Sequence, residues 1–281
     1  RSLYLHLIQE RLHMLELAGI PVHVQDARDY HTLSPLLNNL APDVLIHLAA
    51  VAHAKVANKN PFSTFDNSLR TLENALVSVR SRGTHFIYFS SSMVYGNFAT
   101  GLVEETTPCE PLGVYGALKF AGEKMVIAYG QAFNMPYTII RPSALYGQRC
   151  VSRRVGQIFI ESALAGEPLK VDGDGEEKLD FTYIDDLIEG IALSVTEPAA
   201  RNEIFNITYG AARPIRDLVE VLKREFGNLK VEHVERDQLM PFRGTLSIDK
   251  ARQLLGFAPA NPIDVGFPKY VKWYRQLMAV A

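Results

Sequence analysis

The stretch that decides the fold is His85-Phe86-Ile87-Tyr88-Phe89-Ser90-Ser91-Ser92-Met93-Val94-Tyr95-Gly96, residues 85–96. Five apolar or aromatic residues in a row, too few for a helix, end abruptly in three serines. That pattern reads as a strand buried on both faces, as in parallel sheets, with its polar carboxyl end at a surface. Asp43-Val44-Leu45-Ile46-His47-Leu48 and Tyr137-Thr138-Ile139-Ile140-Arg141 repeat the reading on either side. Pro21-Val22-His23-Val24-Gln25 predicts a further short strand ending at Asp26. Between them, Phe62, Phe65, Leu69, Leu72, Leu76 and Val79 recur at helical spacing across 61–82, and a second long helix is predicted over about 113–133. Strands alternating with helices predict an α/β protein with a doubly wound parallel sheet.

Tyr115-Gly116-Ala117-Leu118-Lys119 follows the serine-rich strand end by 24 residues. At the start of a helix, Tyr115 and Lys119 share one face, a turn apart. A phenol with an ordinary pKa near ~10 is a poor base at neutral pH, and a nearby cation favours its anion. A hydroxyl such as that of Ser91 can hold a substrate oxygen beside it. An exposed Tyr and Lys on a solvated helix is the bland alternative, and the serine-rich strand end upstream argues against it.

Beyond residue 145 the texture changes. Short strands near 169–171 and 180–183 mix with helices near 153–165, 185–196, 214–226, 247–255 and 263–278. This predicts an incomplete dinucleotide-binding domain over 1–145 and a smaller, mainly substrate-binding α/β part over 146–281, partly interleaved with it. The chain of 281 residues has a net charge of −2, which gives no electrostatic case for nucleic acid or anionic membrane. No apolar stretch reaches the ~18 residues needed to span a bilayer. Cys109 and Cys150 are too few for a disulfide framework or metal cluster, and with no signal peptide at the start the expected location is the cytoplasm. Asp172, Asp174 and Glu176 mimic a calcium loop whose twelfth position would be Tyr183, which cannot supply a bidentate carboxylate. His47 and His53 lack spaced partners for a metal and read as structural or solvated. Glu104-Glu105 reads as solvated.

Taken together, six segments resemble the extended short-chain dehydrogenase/reductase family, the nucleotide-sugar epimerases and dehydratases. They are Ser91…Tyr115-x-x-x-Lys119; His47-Leu48-Ala49-Ala50; Asp66-Asn67 with Thr71-Leu72-Glu73-Asn74-Ala75; Arg141-Pro142-Ser143-Ala144-Leu145-Tyr146-Gly147; Gly173-Asp174-Gly175 through Asp180-Phe181-Thr182-Tyr183-Ile184-Asp185-Asp186; and Ile248-Asp249-Lys250-Ala251 with Leu254-Leu255-Gly256-Phe257. The resemblance implies bound NAD, with NADP not excluded, and Ser91, Tyr115 and Lys119 as the catalytic set. It implies Asp26, Ala27, Leu48, Ala49, Ala50, Asn67 and Ser143 on the cofactor side, with Tyr115 and Lys119. It implies Ser91, Ser92, Tyr115, Ala144, Lys178 and Arg236 on the substrate side, with Arg243 a further candidate for the diphosphate. From the local sequence alone, Asp26 could equally cap a turn, and Arg236 could equally be solvated. A planar guanidinium suits phosphate oxygens because it donates two bonds at once. The long helices near 61–82 and 113–133 are expected to pair across a homodimer.

The pattern also breaks. The family opens with a strand, a glycine-rich turn (GxxGxxG) and a helix whose N-terminus meets the pyrophosphate. No such run occurs here, and residues 1–18 read as the helix after strand 2. Losing strands 1 and 2 would leave a gap of roughly 10 Å in the doubly wound order. The expectation is therefore that this sequence is a piece of a longer protein, and the choice between NAD and NADP is not legible in it. Ser92 and Met93 stand where dehydratases keep an acidic pair, and decarboxylating members keep a Glu at the Met93 position, which disfavours both chemistries. Ala144 and Leu179 replace a frequent Asn and Arg near the diphosphate. The expected activity is C4 epimerisation of a UDP-hexose through a 4-keto intermediate. The rivals are an NAD(P)H-dependent nucleotide-sugar ketoreductase and a non-catalytic NAD(P)-binding sensor of the same fold.

Overall fold

The structure, a computed structural model, describes residues 3–280. In chain order the elements are α1 (Leu3–Leu17), α2 (Tyr30–Leu40), β1 (Val44–His47), α3 (Ala54–Lys59), α4 (Pro61–Phe65), α5 (Thr71–Val79), β2 (His85–Phe89), β3 (Leu102–Val103), α6 (Gly113–Phe133) and β4 (Tyr137–Arg141). There follow β5 (Leu145–Tyr146), α7 (Val155–Ala165), β6 (Leu169–Asp172), β7 (Lys178–Leu179), β8 (Thr182–Tyr183), α8 (Ile184–Thr196), β9 (Glu203–Asn206) and β10 (Arg213–Pro214). The last are α9 (Ile215–Phe226), β11 (Val231–Val234), β12 (Thr245–Leu246), α10 (Asp249–Leu255) and α11 (Ile263–Val280).

The central sheet runs β1-β2-β4-β9, all parallel. Alternation along β2 assigns its side chains to two cores. Phe86 and Tyr88 pack with Leu72, Leu76, Val126 and Ile139 beneath α5 and α6. Ile87 and Phe89 pack with Leu187, Phe205 and Phe257 beneath α8 and α10. Helices on both faces are why β2 reads as an unbroken apolar run. A third, aromatic-rich core joins Tyr146, Phe159, Phe181, Tyr183, Phe267, Tyr270 and Tyr274. Because β9 enters the central sheet and α8 and α10 cover it, late elements complete the early core.

Three expectations are corrected. Residues 21–25 form no strand, and Val24 is 98% exposed. A strand needs a ladder partner for its backbone, and among the described residues none lies beside this segment. The helix expected over 61–82 is interrupted by a π-helical turn at Asp66–Arg70 between α4 and α5. Within that turn Ser68 Oγ accepts the Val51 backbone N–H at 3.2 Å, which joins the distortion to the loop after β1. Glu105, expected to be solvated, is half-buried, and its Oε1 accepts the Asn206 backbone N–H at 2.7 Å. Residues 1, 2 and 281, at the ends of two predicted helices, lie outside the described residues. Among the described residues, no helix is long and apolar enough to cross a membrane.

Candidate active site

The carboxyl ends of β1, β2 and β4 open into a cavity of about 470 Å³, where a doubly wound sheet places its ligands. The far wall comes from α7 and the segments around β6, β7 and 236–243. Leu48, Ala50, Ser91, Ser92, Tyr115, Lys119, Ser143, Ala144 and Arg236 all line it. So do Arg153, Arg154, Glu177 and Arg243.

Ser91 is an extended residue two beyond the end of β2, and its Oγ accepts the Met93 backbone N–H at 3.2 Å to cap a single 3₁₀ turn. Ser92 N donates to Pro142 O at 2.9 Å, which ties this turn to the end of β4. Tyr115 lies in the first turn of α6. That helix starts at Gly113, whose φ of +69° suits glycine, and a Cβ there would stand 2.9 Å from Asn58 Oδ1. The same Asn58 oxygen accepts the Val114 N–H at 2.9 Å, so α3 sets where α6 begins. Gly116 lets the helix approach the serine turn, because a Cβ there would meet Met93 O at 2.8 Å. Among the described residues the Tyr115 hydroxyl makes no hydrogen bond, although the ring packs on Ala57 and Met93. The phenol is therefore left free for a bound molecule.

Lys119 is 7% exposed, one turn after Tyr115, and its Nζ donates to Phe89 O at 2.6 Å. Burial pushes its pKa down to about 8, Arg154's charge adds to that, and Glu123 opposes it. It remains mostly a cation at neutral pH. The arrangement can take a proton from a hydroxyl held by Ser91 and keep the resulting charge beside an ammonium.

Ser143 Oγ, Arg236 Nε, Arg243 Nε and Glu177 Oε1 are buried in the cavity wall without hydrogen-bond partners. Buried polar atoms are rarely left unpaired in a folded protein, so these mark places where a ligand would bond. Arg236 and Arg243 flank Glu177 at 3.7 and 3.5 Å. Arg236 also lies over the Phe242 ring at 3.9 Å, so it is an anchored group of the wall. Arg154 donates to Ala52 O at 2.8 Å from the opposite side. With Arg153, Lys55 and Lys170 the wall carries more cations than its two carboxylates, Asp172 and Glu177, balance, which suits the cavity to an anion.

Other expected residues lie elsewhere. Lys178 is exposed in β7; since side chains alternate along a strand, Glu177 and Leu179 face the cavity and Lys178 does not. Asp26 is exposed, outside the cavity wall, with its Oδ1 accepting the Arg28 N–H at 2.9 Å in a turn. The Arg28 side chain holds its carboxyl well down, at about 2. The Ala27 and Arg28 carbonyls accept the Asn74 side chain at 3.0 and 2.8 Å, which pins this turn to α5. Ala49 and Asn67 also lie outside the wall; Asn67 Nδ2 donates back to Ser63 O at 2.7 Å. His47 is buried and stacked on Phe86 and Tyr88. Sequence reasoning missed Arg154, Glu177 and Asn58. Only the alternation 177/179 could have hinted at Glu177, since the other two reach the site through long-range packing.

The same architecture recurs in known proteins. The profile of the NAD dependent epimerase/dehydratase family matches residues 8–208. The chain is 30% identical over 239 residues to the uncharacterized UDP-glucose epimerase YtcB of Bacillus subtilis (strain 168), covering 84% of this chain and 75% of that protein. It is 28% identical over 284 residues to UDP-glucuronate 4-epimerase 4 of Arabidopsis thaliana, covering 93% of this chain and 64% of that one. The UDP-glucuronic acid 4-epimerase from Bacillus cereus, solved with UDP-glucuronic acid and NAD, superposes with a TM-score of 0.91 at 27% identity, covering 97% of this chain and 87% of that one. Since the family match takes in more than half of the sequence, as well as the serine, tyrosine and lysine that meet in the cavity, this chain belongs to the NAD dependent epimerase/dehydratase family.

Proposed function

We propose that this protein serves C4 epimerisation of a UDP-linked hexose or hexuronate with NAD as a resident cofactor. The observation that carries the reading is the convergence of Ser91, an unbonded Tyr115 phenol and buried Lys119 on one cavity, opposite an arginine-lined anion end. The substrate class comes from similarity to 4-epimerases of UDP-glucose and UDP-glucuronate.

The residues present fit the nicotinamide end of the cofactor: Ser143 offers an unpartnered hydroxyl, and Leu48 and Ala50 form an apolar wall after β1. No glycine-rich phosphate turn is found among them. When bound, the cofactor supplies a reversible hydride acceptor. Tyr115 takes the C4 hydroxyl proton and later returns it. Ser91, with Ser92 beside it, holds the same oxygen in line with the phenol. Lys119, itself buried beside the cavity, keeps the phenolate charge stabilised. Arg236, Arg243 and Arg154 hold the diphosphate while the sugar ring turns over between its two faces. Asp26 and Ala27 in the turn after residue 25, Ala49 in the loop after β1 and Asn67 in the π-helical turn belong to the cofactor side of the reading.

We assign residues 1–145 mainly to the cofactor and 146–281 mainly to the sugar nucleotide. A homodimer is also part of the reading, supported by the exposed rings of Phe62 on α4 and Phe133 on α6. Sedimentation of Phe62→Glu should then show a shift toward monomer. The cytoplasmic setting is supported by two unpaired thiols, Cys109 and Cys150.

The test incubates the protein and NAD with a panel of UDP-hexoses and UDP-hexuronates, without added reductant. Interconversion of C4 epimers is expected. Turnover that appears only with added NAD(P)H would replace the epimerase with a ketoreductase, and binding without turnover would make it a sensor.

A further inference from the structure

Beneath the catalytic residues lies a buried ion pair with no part in the mechanism above. Arg141, the last residue of β4, donates to Glu123 from Nε at 2.9 Å and Nη2 at 2.7 Å. The two side chains are only 3% and 1% exposed. Burying such a pair costs desolvation that its attraction barely repays, so stability alone is a weak reason for its presence. Its connections suggest another role. Glu123 also accepts the Ser90 hydroxyl, and Ser90 is the residue before Ser91. One turn earlier on the same helix, Lys119 donates to the carbonyl of Phe89, the residue before Ser90. Consecutive residues at the end of β2 are thus fastened to consecutive turns of α6. Arg141 continues the network by donating to the Tyr95 hydroxyl at 2.9 Å, and Tyr95 donates to Asn206 Oδ1 at 2.8 Å. The turn that follows Ser91 is thereby tied to the ends of β4 and β9.

We propose that Glu123 is a positioning residue: with Arg141 and Ser90 it fixes Ser91 relative to Tyr115, and it sets its carboxylate one turn from Lys119 on α6. Neither Glu123 nor Arg141 lines the cavity, so both act through the residues that do. The groups that influence Lys119 are few. Tyr115 and Glu123 lie on its own helix, the Tyr88 ring of β2 lies 5.3 Å from Nζ, His47 comes from β1, and Arg154 comes from the loop before α7. Among them Glu123 is the carboxylate, and it opposes both burial and Arg154.

The proposal rests on the epimerase reading for its kinetic consequences but not for its charge effect, and the experiment separates the two. The titration of Lys119 is followed by NMR of its ε-carbon in lysine-labelled protein without ligands, alongside the pH profile of kcat. In Glu123→Gln the Lys119 midpoint should fall by about one to two pH units, the effect of a unit charge ~6 Å away at an effective dielectric of ~20. The alkaline limb of kcat should fall by the same amount, with KM nearly unchanged. Glu123→Asp should return the midpoint toward the parent value. Ser90→Ala, which keeps the charge and removes one fastening, should lower kcat with the midpoint unmoved. If Glu123→Gln does not fold because Arg141 is left unpaired, Glu123→Gln with Arg141→Met removes the pair together, and its midpoint is read against that of Arg141→Met alone, so that only the Glu123 carboxylate differs. A Lys119 midpoint that does not fall when the Glu123 carboxylate is removed, in Glu123→Gln or in the double variant read against Arg141→Met, overturns the proposal. Absence of turnover in the parent protein would instead count against the epimerase reading, and the NMR midpoints would still judge Glu123.

Discussion

Replacing Tyr115 by Phe removes one oxygen and nothing else, and the structure says how its effect should divide. Tyr115 is 9% exposed, its ring packs on Ala57 and Met93, and its hydroxyl faces the cavity without a protein partner. No intramolecular hydrogen bond is lost, so the change in folding free energy should stay below about 0.5 kcal/mol, under the usual worth of one such bond. For a chain of this size that is less than about 2 °C in Tm. Proton transfer by a positioned base contributes a factor of roughly 10² to 10⁴. Losing it corresponds to about 3–5 kcal/mol of barrier, several times the stability effect. The assay measures C4 interconversion by anion-exchange separation of the UDP-sugars, with thermal unfolding of the same preparations by calorimetry. Turnover within tenfold of the parent at unchanged Tm would refute the role given to the phenol. Activity lost in parallel with a drop of several degrees would point to a packing role.

Lys119 gives a test in which activity and stability move oppositely. Its folded pKa of about 8 lies below the ordinary 10.5, so between these values the unfolded chain holds a proton that the folded one lacks, and this group's contribution to stability rises with pH. Turnover, which needs the ammonium, should fall above pH ~8, and Lys119→Met should abolish it. That variant should also be more stable at pH 7 by about 2 kcal/mol, roughly 3 from relieved burial less ~1 for the lost bond to Phe89, as urea titration would show. His47 works in the other direction of pH. Burial, with Lys119's charge adding to it, pushes its pKa down from 6.5 to about 4, so stability is lost as pH falls through that window, by up to about 3 kcal/mol. His47→Leu should flatten the acid side of the stability curve, and an unchanged slope would clear His47 of the effect. At the anion end, Arg243→Met should weaken UDP binding by at least about tenfold, the scale of one charge-assisted bond, in a calorimetric titration. Equal affinity for UDP in the variant would move the diphosphate elsewhere.

Much of the architecture was legible in local patterns. The apolar runs at 44–47, 85–89 and 137–141 are strands of the parallel sheet, but only the inner two are well covered: 44–47 is the edge strand and Ile46 is 39% exposed there, which the pattern alone did not show. The Tyr115–Lys119 spacing needs only helical geometry to become a shared face, and Ser91 follows from the polar end of its strand. The segment 21–25 carries the same local pattern, yet it forms no strand, since pairing depends on a neighbour that no local pattern supplies. The interruption at 66–70 likewise follows from contact with the loop after β1.

What the sequence by itself determined was therefore the set of buried strands and the chemistry of three side chains, because periodicity and residue type act over a few residues. Only the tertiary structure decided which charges meet. Arg154, Glu177, Arg236 and Arg243 come from segments up to 89 residues apart, and Glu123 finds Arg141 across a strand. Electrostatic energies depend on distance and on exclusion of water, and both are set only when distant segments pack.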